Sequence, residues 1–251
     1  MPLLELTNFQ YAFAFFAFFL GGLVKGTVGI GMKAIILGLM ATVVELPVAI
    51  ALLTVPGIAA NGWQVLGGPG LLQTIRRIWT ILLTCCVGVW LGAEILVVAD
   101  TRLLTIGLGI LLALFAAYGL RAPRIPSPGR HEGWMSPVIG GLNGVAAGMT
   151  GSDVIPGVPY LQSLGLSRDM LIQAMGLLFL TATFAITLAF QQKGLLNTEL
   201  AISSVLFTIP ALIGYYIGAK VRQRISEARF RLVLLSSLLL LGLYIVVRNA
   251  F

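Results

Sequence analysis

Lys25 and Lys33 flank a glycine-broken stretch, GGLVKGTVGIGMK at 21–33, inside strongly apolar sequence. A lysine near mid-bilayer costs roughly 2.5–3.5 kcal/mol on insertion scales, so it faces protein, water or an opposite charge. Gly29 and Gly31 let backbone N–H groups turn inward, and Thr27 adds a hydroxyl. Helix N-termini carry partial positive charge, which favours an anionic group. Lysine supplies a point charge rather than a bidentate fork, which suits weak, reversible capture. These residues point to a small anion. The plain alternative is that each ammonium snorkels along its stem to an interface.

A second stretch, GGLNGVAAGMTGSD at 140–153, supplies Asn143, Gly148, Thr150, Gly151 and Ser152. Their hydroxyl and amide donors suit sulfonate or carboxylate oxygens. A shift of 119 lays Gly21, Gly22, Leu23 and Gly29 over Gly140, Gly141, Leu142 and Gly148, and Gly57 over Gly176. Duplicated, interrupted hydrophobic segments mark the substrate site of secondary transporters. Asp153 is the only acid in the second stretch, and the same shift lays Lys33 over its neighbour Ser152. A two-fold axis would then bring Lys33 and Asp153 together. Asp153 either holds Lys33 in an empty site or accepts the proton that couples transport; a structural ion pair is the third reading. Asn61, Gln64 and Gln173 are polar residues in apolar runs and are candidates to line the cavity. Interhelical hydrogen bonding is the common alternative for each.

Hydrophobic residues form 58% of the 251-residue chain and charged residues 10%, against about 25% charged in soluble domains. The bilayer is therefore the solvent. Continuous rather than alternating apolar runs predict helices and exclude a β-barrel. The residues before Phe9 include Glu5 and no Lys or Arg, so the first run reads as a retained segment rather than a cleaved leader. The net charge of +7 falls mostly in short connections, as topology signals do, and does not indicate a nucleic-acid partner. Adjacent Cys85 and Cys86 and the single His131 provide neither a metal set nor a catalytic base, so no cofactor, metal or enzyme activity is expected.

The apolar runs are 9–24, 32–44, 47–66, 78–99, 103–120, 135–149, 154–165, 170–190, 198–218 and 230–247. A span needs about 20 residues, so the first, second, sixth and seventh runs read as two short broken-helix hairpins meeting at the glycine stretches. The expected fold is an all-α polytopic membrane protein of two inverted-topology repeats, each a hairpin plus three transmembrane helices. The repeats are 1–120 and 134–251, joined by a cytoplasmic linker at 121–133, RAPRIPSPGRHEG, whose prolines and charges forbid a membrane helix. Arg76, Arg77, Arg121, Arg124, Arg130, Lys220, Arg222, Arg224, Arg229 and Arg231 place their loops in the cytoplasm and both termini outside. Gly88 and Gly92 match Gly214 and Gly218 at a shift of 126, as helix-packing glycines without a substrate role.

An apolar run into G-x-x-x-G-x-x-G-x-G, a basic proline-rich middle loop and a repeat of the glycine motif together resemble the sulfite exporter TauE/SafE family. The resemblance covers essentially the whole chain. The first motif ends Gly29-Ile30-Gly31-Met32-Lys33, where the family more often has a glycine run and a proline; the second keeps prolines at 156 and 159. The resemblance implies an inner-membrane carrier of small anions bearing sulfur or carboxylate, with a small anion and the bilayer as partners, protons as candidate coupling ion and a homo-oligomer as an open assembly. The expected function is export of sulfite or an organosulfonate by alternating access; import of such an anion or of a small carboxylate, or an anion channel, is the alternative.

Overall fold

The computed structural model describes residues 6–68, 70–121, 125–221 and 227–250, with side chains of 227–230 left aside. Arg124, Arg222 and Arg224 lie outside the described residues, and the Arg229 side chain is among those left aside. The described chain is helical throughout, without a strand. Six helices are long and apolar enough to cross a membrane: α1 (Asn8–Val28), α5 (Leu71–Val98), α6 (Thr101–Arg121), α9 (Arg168–Gln192), α10 (Thr198–Val221) and α11 (Glu227–Ala250). A seventh span forms if α3 (Leu46–Leu52) and α4 (Thr54–Leu66), bent by 47°, count as one. The remaining α-helices are α2 (Met32–Met40), α7 (Glu132–Thr150) and α8 (Gly157–Ser163), with a 3-10 turn at Gly129–His131. At about 1.5 Å per residue, α2 and α8 are too short to cross the roughly 30 Å hydrocarbon layer.

Helix α1 opens on a capping box: the Gln10 N–H donates to the Thr7 hydroxyl, and the Thr7 N–H donates to the Gln10 side chain. It stops at Gly29, whose φ of 88° is left-handed and whose N–H returns to the Lys25 carbonyl. Helix α7 stops the same way, at Gly151 with φ of 75° and an N–H to the Ala147 carbonyl. A left-handed cap needs glycine, because a Cβ clashes there. After Gly29 the chain reverses and α2 packs back on α1, with Ile36 filling the space beside Gly21.

The break between α3 and α4 was not anticipated, since 47–66 reads as one run. Pro56 has no N–H for the Leu52 carbonyl, the partner it would have in a continuous helix. The Ser204 hydroxyl on α10 donates to that carbonyl at 2.8 Å and accepts the Val55 N–H at 3.0 Å. An exposed break would be costly in lipid; here a neighbouring helix satisfies it.

Helix α1 lies along α10, α7 along α5, α6 along α11 and α4 along α9. Glycines bring backbones together in the first two pairs. A Cβ on Gly22 would strike the Ala211 carbonyl and one on Gly26 the Tyr215 carbonyl; Gly144 and Gly148 meet those of Cys85 and Val89. These contacts superpose at offsets of 122 for α1 and α7 and 126 for α10 and α5. The caps Gly29 and Gly151 follow the same 122. The offset of 119 read from the glycine letters is thus three residues off in this helix, because evenly spaced glycines align in several registers. It does hold between α4 and α9: Gly57 faces Thr183, and Gly176 faces Gln64.

Candidate functional site

A large cavity, about 560 Å³, lies where the end of α1 and the turn Gly29–Gly31 meet the ends of α4 and α6, helix α8, and the starts of α9 and α11. That volume falls within the range of about 300–1,000 Å³ usual for small-molecule sites. Lys25 lines it while only 5% exposed. Its ammonium donates to Asn61 Oδ1, a neutral partner, and no carboxylate pairs with it among the described residues. Asn61 stands behind Lys25 rather than on the cavity wall, and its Nδ2 is buried without a partner. A bare buried donor beside a cation is costly unless something accepts from it.

Gly31, φ 94°, is the N-cap of α2, and no side chain caps that helix. Its first-turn N–H groups therefore begin, uncapped, at a residue of the cavity wall. Gln64 also lines the cavity; its Nε2 donates to the Ile172 carbonyl at 2.9 Å, which fixes the amide and leaves Oε1 buried without a partner. At the mouth, the Tyr118 hydroxyl donates to Gln162 Oε1 at 2.6 Å, and Arg231 donates to the Gly119 carbonyl at 2.9 Å. Arg168 adds a second cation there.

Lys33 and Asp153 form a second, separate cluster. They make an ion pair with side chains 8% and 1% exposed, away from the large cavity. Thr150, Gly151 and Ser152 belong to the same turn, where the Thr150 hydroxyl donates to the Ala146 carbonyl and accepts the Ser152 N–H.

Of the residues expected at one site, the cavity thus gathers Lys25, Gly29, Gly31 and Gln64. The others stand elsewhere. Thr27 spends its hydroxyl on the carbonyls of Leu23 and Gly218. Asn143 accepts the Gly157 N–H at 2.9 Å, and Gly148 packs against α5. Gln173 does not line the cavity: its Oε1 accepts from the Thr74 hydroxyl at 2.8 Å and its Nε2 donates to the Val65 carbonyl at 2.9 Å, tying α9 to α5 and α4. Sequence reasoning missed Tyr118, Gln162 and Arg168. Tyr118 and Gln162 are polar residues ending apolar runs and offered the same signal as Gln64.

A multi-span helical bundle with a lysine-bearing cavity at a broken helix has the architecture of a multi-pass membrane transporter. The model of the family described as sulfite exporter TauE/SafE matches residues 14–245, and the chain belongs to that family. Comparison with curated proteins and with solved structures returns no match.

Proposed function

We propose that this protein is a secondary carrier that exports a small sulfur-containing anion, sulfite or an organosulfonate, by alternating access in a fold of two inverted repeats. One observation carries the reading: the buried Lys25 lines a cavity beside an uncapped helix start, with a neutral amide rather than a carboxylate as partner. A buried cation without a counter-charge is costly, and a bound anion supplies one. The family description supports sulfite chemistry. The recurring glycine contacts support two halves of common plan.

The mouth of the cavity lies on the side whose connections carry Arg76, Arg77, Arg121, Arg130, Arg168, Lys220 and Arg231, whereas the opposite ends carry Arg102, Lys193 and Arg248 together with Glu45, Glu94, Asp100 and Glu199. The positive-inside bias makes that mouth cytoplasmic and both termini external in the inner membrane. The test is counterflow in proteoliposomes with sulfite, sulfate, thiosulfate, sulfoacetate and short carboxylates, with and without a pH gradient. Saturable counterflow of a sulfur oxyanion is expected. Flux without saturation or counterflow would replace the carrier by a channel, and counterflow restricted to carboxylates would replace the substrate.

A further inference from the structure

A closed pocket of about 10 Å³, the space of roughly one water, lies beside Lys33 between α2, α3, the Gly151 turn and α9. Every residue lining it except Thr54 has a counterpart in the lining of the large cavity; Thr54 falls on Gln173, which does not line that cavity. At the 119 offset of α4 and α9, Ile50 and Leu53 correspond to Asp169 and Ile172. In the same register Thr183 and Ile186 correspond to Gln64 and Gly67. At 122, Gly151 corresponds to Gly29. At 125, Lys33 and Leu37 correspond to Val158 and Gln162. The last register is set by contact, since Gly21 touches the Met32 carbonyl while Asn143 holds the Gly157 N–H.

Farther toward the other membrane face is a recess of about 440 Å³ bounded by Gln10, Thr42, Glu45, Arg102 and Asn249. Gly109 and Gly242 face each other across α6 and α11 at an offset of 133, which carries Thr101 and Arg102 onto Leu234 and Leu235 of the large cavity. The recess opens on that face and shares no lining residue with the small pocket.

We propose that the closed pocket opens into a second anion site, reached from the face bearing Arg102, in which Lys33 supplies the charge that its ion pair with Asp153 takes up in this structure. The inference rests on the carrier reading. Lys25 has no charged counterpart, because its position at the 122 offset is Ala147. In the closed half Lys33 stands instead where the open half has Val158. The two sites thus take their lysines from one hairpin, eight residues apart. The hydroxyls of Thr54 and Thr183 already donate to the carbonyls of Ala51 and Phe179, which leaves the Lys33 ammonium as the charge-bearing donor. Because the resident partner is a carboxylate, the ligand that replaces it is an oxyanion presenting an oxygen to one ammonium. Entry of the anion frees Asp153 and parts α9 from α3; its departure restores the ion pair and closes the pocket.

The test uses reconstituted protein carrying Cys85→Ala and Cys86→Ala, with Leu53→Cys, Ile186→Cys or Ile172→Cys added singly, and a membrane-impermeant thiol reagent. The anion with the fastest counterflow among those that do not react with the reagent (sulfate, sulfoacetate or a short carboxylate) is applied on the Arg102 face. Labelling of Leu53→Cys and Ile186→Cys from that face should rise at least tenfold, while labelling of Ile172→Cys from the opposite face falls. Hydrogen exchange on the unmodified protein gives the same answer without substitutions: segments 50–54 and 183–187 should exchange faster under that gradient. Counterflow with silent cysteines and unchanged exchange overturns this proposal alone. Absence of counterflow by the unmodified protein for every anion in the panel overturns the carrier reading, and this proposal with it.

Discussion

The Lys33 ammonium donates to the Asp153 carboxylate across 120 residues of sequence, joining the first turn of α2 to the turn after α7. Both side chains are buried. Removing one member of a buried pair strands the other charge and costs roughly 3–5 kcal/mol, whereas replacing both by apolar groups is often neutral. Lys33→Ala is therefore expected to lose anion flux and to unfold at lower temperature in detergent. Lys33→Met combined with Asp153→Leu should recover the stability without the flux. Full flux in Lys33→Ala removes Lys33 from the transport path, and equal stability of the single and double variants removes the energetic role of the pair.

Asp153→Asn keeps a hydrogen-bonding group of the same shape and removes the proton acceptor. Anion exchange should persist, and accumulation driven by a pH gradient should disappear. Gradient-driven accumulation at the unmodified level would reject Asp153 as the coupling group and leave it a structural partner of Lys33.

On the proposed function, Lys25 makes the charge-assisted contact to the anion in the open cavity. Such contacts are worth about 1.5–3 kcal/mol, so Lys25→Gln should raise the half-saturating anion concentration about tenfold to a hundredfold. Lys25→Arg keeps the charge and should be milder. Half-saturation unchanged in Lys25→Gln would move the binding site elsewhere.

Two glycines three residues apart in α7 separate a packing position from a tolerant one. A Cβ on Gly144 runs into the Cys85 carbonyl, whereas one on Gly141 meets nothing within 4 Å. Overpacking costs typically about 1–3 kcal/mol. Gly144→Ala should lower the unfolding temperature in detergent and Gly141→Ala should leave it unchanged. Equal behaviour of the two would dismiss the close approach of α5 and α7.

Span composition, the hairpin glycines and the polar residues Lys25 and Gln64 were legible because lipid imposes a simple rule: apolar for about 20 residues, with any departure explained by a partner or a cavity. The α3–α4 break was not legible, since its cause, Pro56, is tolerated only through Ser204 nearly 150 residues away. Gln173 misled for a related reason: a buried amide satisfied by Thr74 and Val65 reads in sequence like one facing a cavity. The separation of Lys25 from Lys33 was hidden too, because the left-handed turn at Gly29 and Gly31 sends residues eight apart to different pockets.

The glycine seams fix what is able to shift. Helix α1 is fused at backbone distance to α10, and α7 to α5, so each welded couple takes one member from either side of the central loop. On the carrier reading, one sequence half swinging on the other would open both seams, so the motion that exchanges the two mouths leaves them intact. The levers are the crossed couples, and the thinner contacts between them are where a hinge belongs.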